Sequence, residues 1–278
     1  MFSPEGMGDN REDLGGVVFL PELLYRHSFP GCVGLDLGAL ARSPRPPLAA
    51  GRNWVMEIWA TNRRPRSPRT WHRAISPVRL GRLAHRLRLD PPLAAPHETD
   101  SWAYQAASWY QPLWPRMRAF ALPTNSDGMV RLNVATREAH GVVPPDNFAR
   151  ECGAIARVLA ELRDPDSGKR VVAEVIPTRA RPHHDLERGH PADLVVRWSE
   201  AMRDLVASPT HGRLGPVPYH RAGGHRPDGF VCAAGPGIEP GSTFPLGSPM
   251  DVAPTVRTLL GLPPADHPGR SLVDVRGR

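Results

Sequence analysis

The chain reads as an α/β protein in which a central sheet is flanked by helices. Apolar residues recur at three- and four-residue steps over 148–162 and 252–260, the spacing of one helix face. Short apolar runs of strand type lie at 128–134, 171–176, 193–198 and 229–234, with turn clusters set between the two kinds of segment. Alternation of this kind argues for a layered architecture rather than a bundle or a sandwich. With 278 residues the chain is one large domain or two small ones, long enough to bury a sizeable core.

Taken in order, Pro21-Glu-Leu-Leu-Tyr-Arg26 predicts a short helix, with proline in the first turn where its missing N–H costs nothing. Prolines at 44, 46, 47, 65, 68, 77, 91, 92 and 96 then break any long element, so 41–100 reads as a loop-rich excursion with one Arg-bearing helix near 78–88. Gly128-Met-Val-Arg-Leu-Asn-Val134 is the first clear strand. Phe148, Cys152, Ile155, Leu159 and Leu162 then share a helix face, with Asp146 before its start and Arg163 after its end, as the macrodipole prefers. Asp164-Pro-Asp-Ser-Gly168 is a turn before the strand Val171 to Ile176. Asp193 to Trp198 and Gly229 to Ala234 are nearly continuous apolar runs and predict strands buried on both faces. Asp251 is the expected N-cap of a last helix carrying Val252, Val256, Leu259 and Leu260, stopped by Gly261 and Pro263.

Composition excludes several classes. Hydrophobic residues at 40% and charged residues at 23% are ordinary for a globular chain, and 33 prolines with 26 glycines stay below the roughly 25–30% that marks low complexity. No run of about 18 apolar residues offers a membrane span, and Met1-Phe-Ser-Pro-Glu-Gly6 has neither the basic nor the apolar region of a secretion signal. The expectation is a soluble cytoplasmic protein. Cys32, Cys152 and Cys232 are odd in number and never spaced as Cys-x-x-Cys, which argues against a disulfide framework and for small buried apolar residues. The net charge of +7 comes from arginine, Lys169 being the only lysine. Arginines cluster from Arg63 to Arg88, where a polyanion could dock, but no nucleic-acid motif accompanies them, and a solvated face is the favoured reading.

Among motifs that could carry chemistry, no Gly-x-Ser-x-Gly elbow and no phosphate-binding Gly-x-x-x-x-Gly-Lys loop is present. Gly235-Pro-Gly237-Ile-Glu-Pro-Gly241 has the wrong spacing for a dinucleotide fingerprint and reads as a turn. His183, His184, Asp185, Glu187 and His190 are dense enough to catch a metal, yet their Pro/Gly-bounded loop favours a polar loop. His220 and His225 flank Arg221-Ala-Gly-Gly224, where small residues allow close approach to a histidine. Trp102, Tyr104, Trp109, Tyr110 and Trp114 could line a channel, though packing against the sheet is the commoner use of such rings.

Gly224-His-Arg-Pro-Asp-Gly-Phe-Val-Cys-Ala-Ala-Gly-Pro-Gly-Ile238, Met250-Asp-Val-Ala-Pro-Thr-Val-Arg-Thr-Leu-Leu-Gly-Leu262 and Gly269-Arg-Ser-Leu272 follow one another in an order that resembles the end of alkaline-phosphatase-superfamily hydrolases. The type I phosphodiesterase/nucleotide pyrophosphatase branch, related to the sulfatases, is the nearest in pattern. Trp114 to Pro123, Arg131-Leu-Asn133, Arg137-Glu138, Gly141, Asp164 to Gly168 and Ala192-Asp-Leu-Val-Val196 fall in the order of bacterial members of that branch. The resemblance implies an alkaline-phosphatase-like layered fold and hydrolysis of phosphodiesters, nucleotide pyrophosphates or sulfate esters. It also implies two divalent metals, usually zinc, beside a Thr or Ser nucleophile. The family's Gly-x-His histidine is a metal ligand and corresponds to His225. Its Ser-Asp-His-Gly-Met motif corresponds to Ser3-Pro-Glu-Gly-Met7, so that Glu5 stands where the second histidine would be and Pro4 where an aspartate would be. Glutamate ligates zinc; proline has no side-chain donor.

The family's nucleophile and its remaining metal ligands have no counterpart in the matched motifs. The expectation is therefore an N-terminally truncated member without activity of its own: 1–40 a remnant of the metal-motif strand and the helix after it, 41–100 the Arg/Pro excursion, and 101–278 the C-terminal part of the domain. Apolar surface left uncovered would invite a partner or a second copy at an exposed sheet edge. The competing expectations are a non-catalytic module binding a polyanion or a protein, and a fragment of a full enzyme whose true start lies upstream.

Overall fold

A computed structural model describes residues 1–10, 13–37, 53–62, 93–95, 102, 104–184, 189–218, 223–226, 228–235 and 238–273. The chain divides into two compact units: Met1–Gly8 with His225–Arg278, and Asp9–Gly224. It is a mixed α/β protein built on small sheets.

The larger unit opens with a wide helical turn, Leu14–Phe19, that runs into helix α1, Leu20–Ser28. Pro21 sits in the first turn of α1 as expected, and every residue from Leu14 to Arg26 is buried. Helix α2, Trp54–Thr61, is capped by the Asn53 side chain, which accepts from the Val55 N–H at 2.9 Å. It lies where the sequence suggested only loop, because apolar residues fill nearly every position from Trp54 to Ala60 and leave no stripe to read. The helix anticipated at 78–88 lies outside the described residues. Helix α3 is the single turn Ala107–Tyr110.

A four-stranded sheet follows, made of β3 (Ala119–Leu122), β4 (Gly128–Leu132), β5 (Val172–Pro177) and β6 (Leu194–Trp198) in the order β3-β4-β6-β5. All three pairings are antiparallel. Strands buried on both faces were expected here, and the structure corrects this. Leu194, Val196 and Trp198 are buried while Arg197 between them is exposed, and β4 alternates in the same way through Val130 and Leu132. Antiparallel strands expose one face, and the run Leu-Val-Val-Arg-Trp conceals the alternation because Val195 occupies the outer face opposite Met129.

Helix α4, Phe148–Ala160, buries Phe148, Ile155 and Leu159, as the spacing predicts. Full burial of each such side chain is worth roughly 1.5–3 kcal/mol. The predicted turn Asp164–Gly168 is present: Gly168 has φ +68°, and the Asp164 carboxylate accepts from the Asp166 and Ser167 N–H groups and from the Ser167 hydroxyl. Strands β7 (Val206–Ser208) and β8 (Gly212–Leu214) complete the unit as a hairpin.

The smaller unit is different in kind. Strand β1, Phe2–Ser3, pairs antiparallel with β10, Phe230–Val231, and the Met1 amino group donates to the Cys232 carbonyl at 2.8 Å. Phe2 and Phe230 are both half exposed. The run Gly229 to Ala234 is thus a short exposed strand and not the buried one expected from its composition. Strand β2 (Gly6–Asp9) pairs with β9 (Gly223–Arg226).

Helix α5, Val252–Leu259, is preceded by a tight turn, Pro249–Asp251. Asp251 stands at the N-cap position of α5, as expected, but its side chain makes no cap bond to the helix. It serves the preceding turn instead: the Ser248 side chain accepts from the Met250 N–H, and the Asp251 carboxylate accepts from the Ser248 N–H at 2.8 Å, a capping box. Asp251 also accepts from the Arg270 N–H, and these two backbone donors hold its carboxyl below the usual carboxylate range. Gly261, at φ +66°, ends the helix with Leu262 N–H donating to the Arg257 carbonyl. Every buried apolar side chain among the described residues belongs to the larger unit. Ten of the twelve large exposed ones, including Leu246, Val256 and Leu260, belong to the smaller, so hydrogen bonds and not a core organise it.

Candidate functional site

The smaller unit carries the two residues singled out from the sequence, and it brings them together. The Glu5 carboxylate Oε2 lies 2.8 Å from Nδ1 of His225, across 220 residues of sequence. Glu5 sits between β1 and β2, and His225 lies on β9. The loop bearing Glu5 is held by backbone contact. A side chain at Gly6 would meet the Asp228 carbonyl at 2.2 Å, and one at Gly229 would meet the Ser3 carbonyl at 2.1 Å, so both positions require glycine. Within the loop, the Ser3 hydroxyl donates to the Glu5 carbonyl at 2.6 Å. The Glu5 and His225 side chains are 58% and 40% exposed, open to solvent and to a ligand.

As a zinc centre the pair is incomplete. Zinc takes three or four protein donors, and among the described residues no three His, Cys, Asp or Glu side chains converge closely enough to hold an ion. Ser3, Pro4 and Glu5 together offer one carboxylate and no imidazole. The residues described do not fit a resident zinc cage, and no chemical step is derived through one.

The other sequence candidates serve structure. Nε2 of His183 lies 3.0 Å from the Thr136 hydroxyl, and Nδ1 of His190 accepts from the Ala192 N–H at 3.2 Å. The first ties its loop to the segment at Thr136 and the second braces its own loop; Asp185 and Glu187 lie outside the described residues, as do His220 and the whole Arg63 to Arg88 cluster. Trp109 and Tyr110 are fully buried, Trp109 meets Trp59 edge-on at 5.0 Å, and Trp114 stacks on Phe120 at 4.2 Å. Packing, then, is the use of these rings. Trp102, stacked on Tyr104, is the exposed member. Of the three cysteines only Cys32 is buried; Cys152 is half-buried and Cys232 is exposed, which corrects the uniform expectation.

Three ionic clusters in the larger unit escaped the sequence reading. Glu22 is buried and accepts from Arg26 Nε at 2.7 Å, the Gly34 and Leu35 N–H groups at 3.0 and 2.9 Å, and the Tyr110 hydroxyl at 2.6 Å. Burial, and then the Glu22 charge, push the Tyr110 phenol well above its ordinary range. The i,i+4 spacing of Glu22 and Arg26 was the available signal. Asp193, fully buried, takes a two-pronged contact from Arg137 at 2.8 and 2.6 Å, a bond from the Leu132 N–H, and the Arg179 guanidinium at 3.2 Å. His27 and His211 meet edge-on at 5.6 Å, near the Arg118–Glu151 pair. Burial pulls His211 down to about 4, helped by the positive charge of His27 and Arg26. Each carboxylate here accepts from donors supplied within the fold, the pattern of structural clamps.

No family model, curated protein or solved structure matches the chain. Among the described residues no helix is long and apolar enough to cross a membrane.

Proposed function

We propose that the chain derives from the metal-dependent phosphoester and sulfoester hydrolases of the alkaline phosphatase superfamily, in the type I phosphodiesterase/nucleotide pyrophosphatase branch, and that it performs no turnover by itself. One observation supports this most: Glu5 and His225, placed at one metal centre by motif order alone, stand 2.8 Å apart although they lie at opposite ends of the chain. The glycines that fix them, Gly6 and Gly229, belong to the same two motifs.

The absence of turnover follows from the chemistry. In-line attack on phosphorus or sulfur needs a nucleophile and charge stabilisation by a metal pair. The matched motifs contain no nucleophile, and among the described residues the donors fall short of a metal cage. The exposed apolar residues of the smaller unit make a partner or a second copy the natural complement. The test is hydrolysis of bis(p-nitrophenyl) phosphate, p-nitrophenyl phosphate and p-nitrophenyl sulfate by the purified chain with zinc. We expect background rates. Metal-dependent turnover abolished by His225→Ala would overturn the inactive reading.

A further inference from the structure

We propose that Glu5 is the positioning residue of His225 and not a second metal ligand: its carboxylate fixes the imidazole with the proton on Nδ1, so that Nε2 alone is presented to a ligand. The geometry carries this. Oε2 of Glu5 is 2.8 Å from Nδ1 of His225. An ionised carboxylate only accepts, so the hydrogen in that contact belongs to Nδ1. With Nδ1–H engaged, the lone pair lies on Nε2, the nitrogen pointing away from Glu5. The same arrangement, a carboxylate behind a histidine whose other nitrogen faces a metal, orients ligands in metal sites generally. Motif order alone assigns Glu5 to the metal; the contact assigns it to the imidazole.

The loop geometry gives Glu5 this role. Ser3 ties the Glu5 backbone through its hydroxyl, and Gly6 and Gly229 bring the flanking chain against Asp228 and Ser3 backbone to backbone. The carboxylate is thereby aimed while remaining more than half exposed. A free imidazole in water prefers the proton on Nε2, so the tautomer of His225 reports whether Glu5 acts.

The test is the tautomer of His225, read from the 15N shifts of the metal-free chain above neutral pH, in the wild type, Glu5→Gln and Glu5→Ala. We expect Nδ1–H in the wild type. Glu5→Gln, whose amide oxygen still accepts, should keep it, and Glu5→Ala should revert to Nε2–H. A wild type with Nε2–H, or an unchanged tautomer in Glu5→Ala, overturns the proposal. Zinc alone then serves as a probe. Perturbation of Nε2 with the Nδ1 proton retained supports the assignment, and loss of the Nδ1 proton overturns it. Only this second step rests on the hydrolase reading: if zinc leaves Nε2 untouched while the tautomer holds, the positioning role stands and the hydrolase reading loses its metal ligand.

Discussion

Replacing Glu22 by alanine should remove a large part of the stability of the larger unit. The Glu22 and Arg26 side chains are 3% and 9% exposed. Breaking a buried pair by deleting one partner costs about 3–5 kcal/mol, because the other charge is left in low dielectric. The Gly34 and Leu35 N–H groups and the Tyr110 hydroxyl lose their acceptor as well, at about 1–3 kcal/mol for each that stays dry. Arg26 keeps its bonds to the His211 and Arg213 carbonyls, which softens the first of these terms. A loss of at least about 4 kcal/mol is expected, against roughly 5–15 kcal/mol for a whole domain. Glu22→Gln keeps an acceptor and should lose about half as much. Adding Arg26→Met to Glu22→Leu should recover part of the loss, since no orphaned charge remains. Urea denaturation followed by tryptophan fluorescence, to which buried Trp109 and half-buried Trp59 contribute, reads all three. A Glu22→Ala chain within about 1 kcal/mol of wild type would refute the view that this carboxylate organises its surroundings.

Two further predictions concern titration and reactivity. Burial favours neutral His211, so between its ordinary 6.5 and about 4 the unfolded chain binds a proton that the folded chain resists. Stability should therefore fall as pH drops through that window and level off below it, and His211→Gln should show a shallower decline in unfolding free energy. The imidazole is only partly buried, so solvent screening keeps the effect below what its shift alone would give. Equal slopes in the two proteins would contradict this. Among thiols, exposed Cys232 should react first with an aromatic disulfide reagent in the folded chain. Cys32 is buried, and burial pushes Cys152 up to about 12, so these two should react only after unfolding. Three equally fast thiols in the folded chain would contradict the burial pattern.

The sequence showed helices better than it showed how strands are used. Phe148, Ile155 and Leu159 repeat at helical steps and lie buried on α4, and Pro21 opens α1 as its fixed φ allows. The strands β4 and β6 were legible in position, but their one-sided burial was not, because a valine on the outer face looks the same as one inside. The buried Glu22 and Asp193 clamps join residues far apart in sequence, Tyr110 to Glu22 and Arg137 to Asp193, and no local pattern announces such a contact. At the candidate site, motif order pointed to Glu5 and His225, and their residue types gave no hint that the two side chains meet each other directly. Gly6 and Gly229 could have been recognised as points of close backbone approach only once their partners, Asp228 and Ser3, were placed.

On the proposed reading, this chain contributes a single oriented histidine to a metal centre and does not complete a cage by itself. The direct measurement is zinc retained per chain after dialysis from a zinc-containing into a zinc-free buffer, for the wild type, Glu5→Ala and His225→Ala. We expect well below one zinc per chain, with the weak uptake at high zinc lowered by His225→Ala and less affected by Glu5→Ala. One full equivalent held through dialysis by the wild type would contradict the incomplete cage, and uptake unchanged in His225→Ala would contradict the role of the histidine.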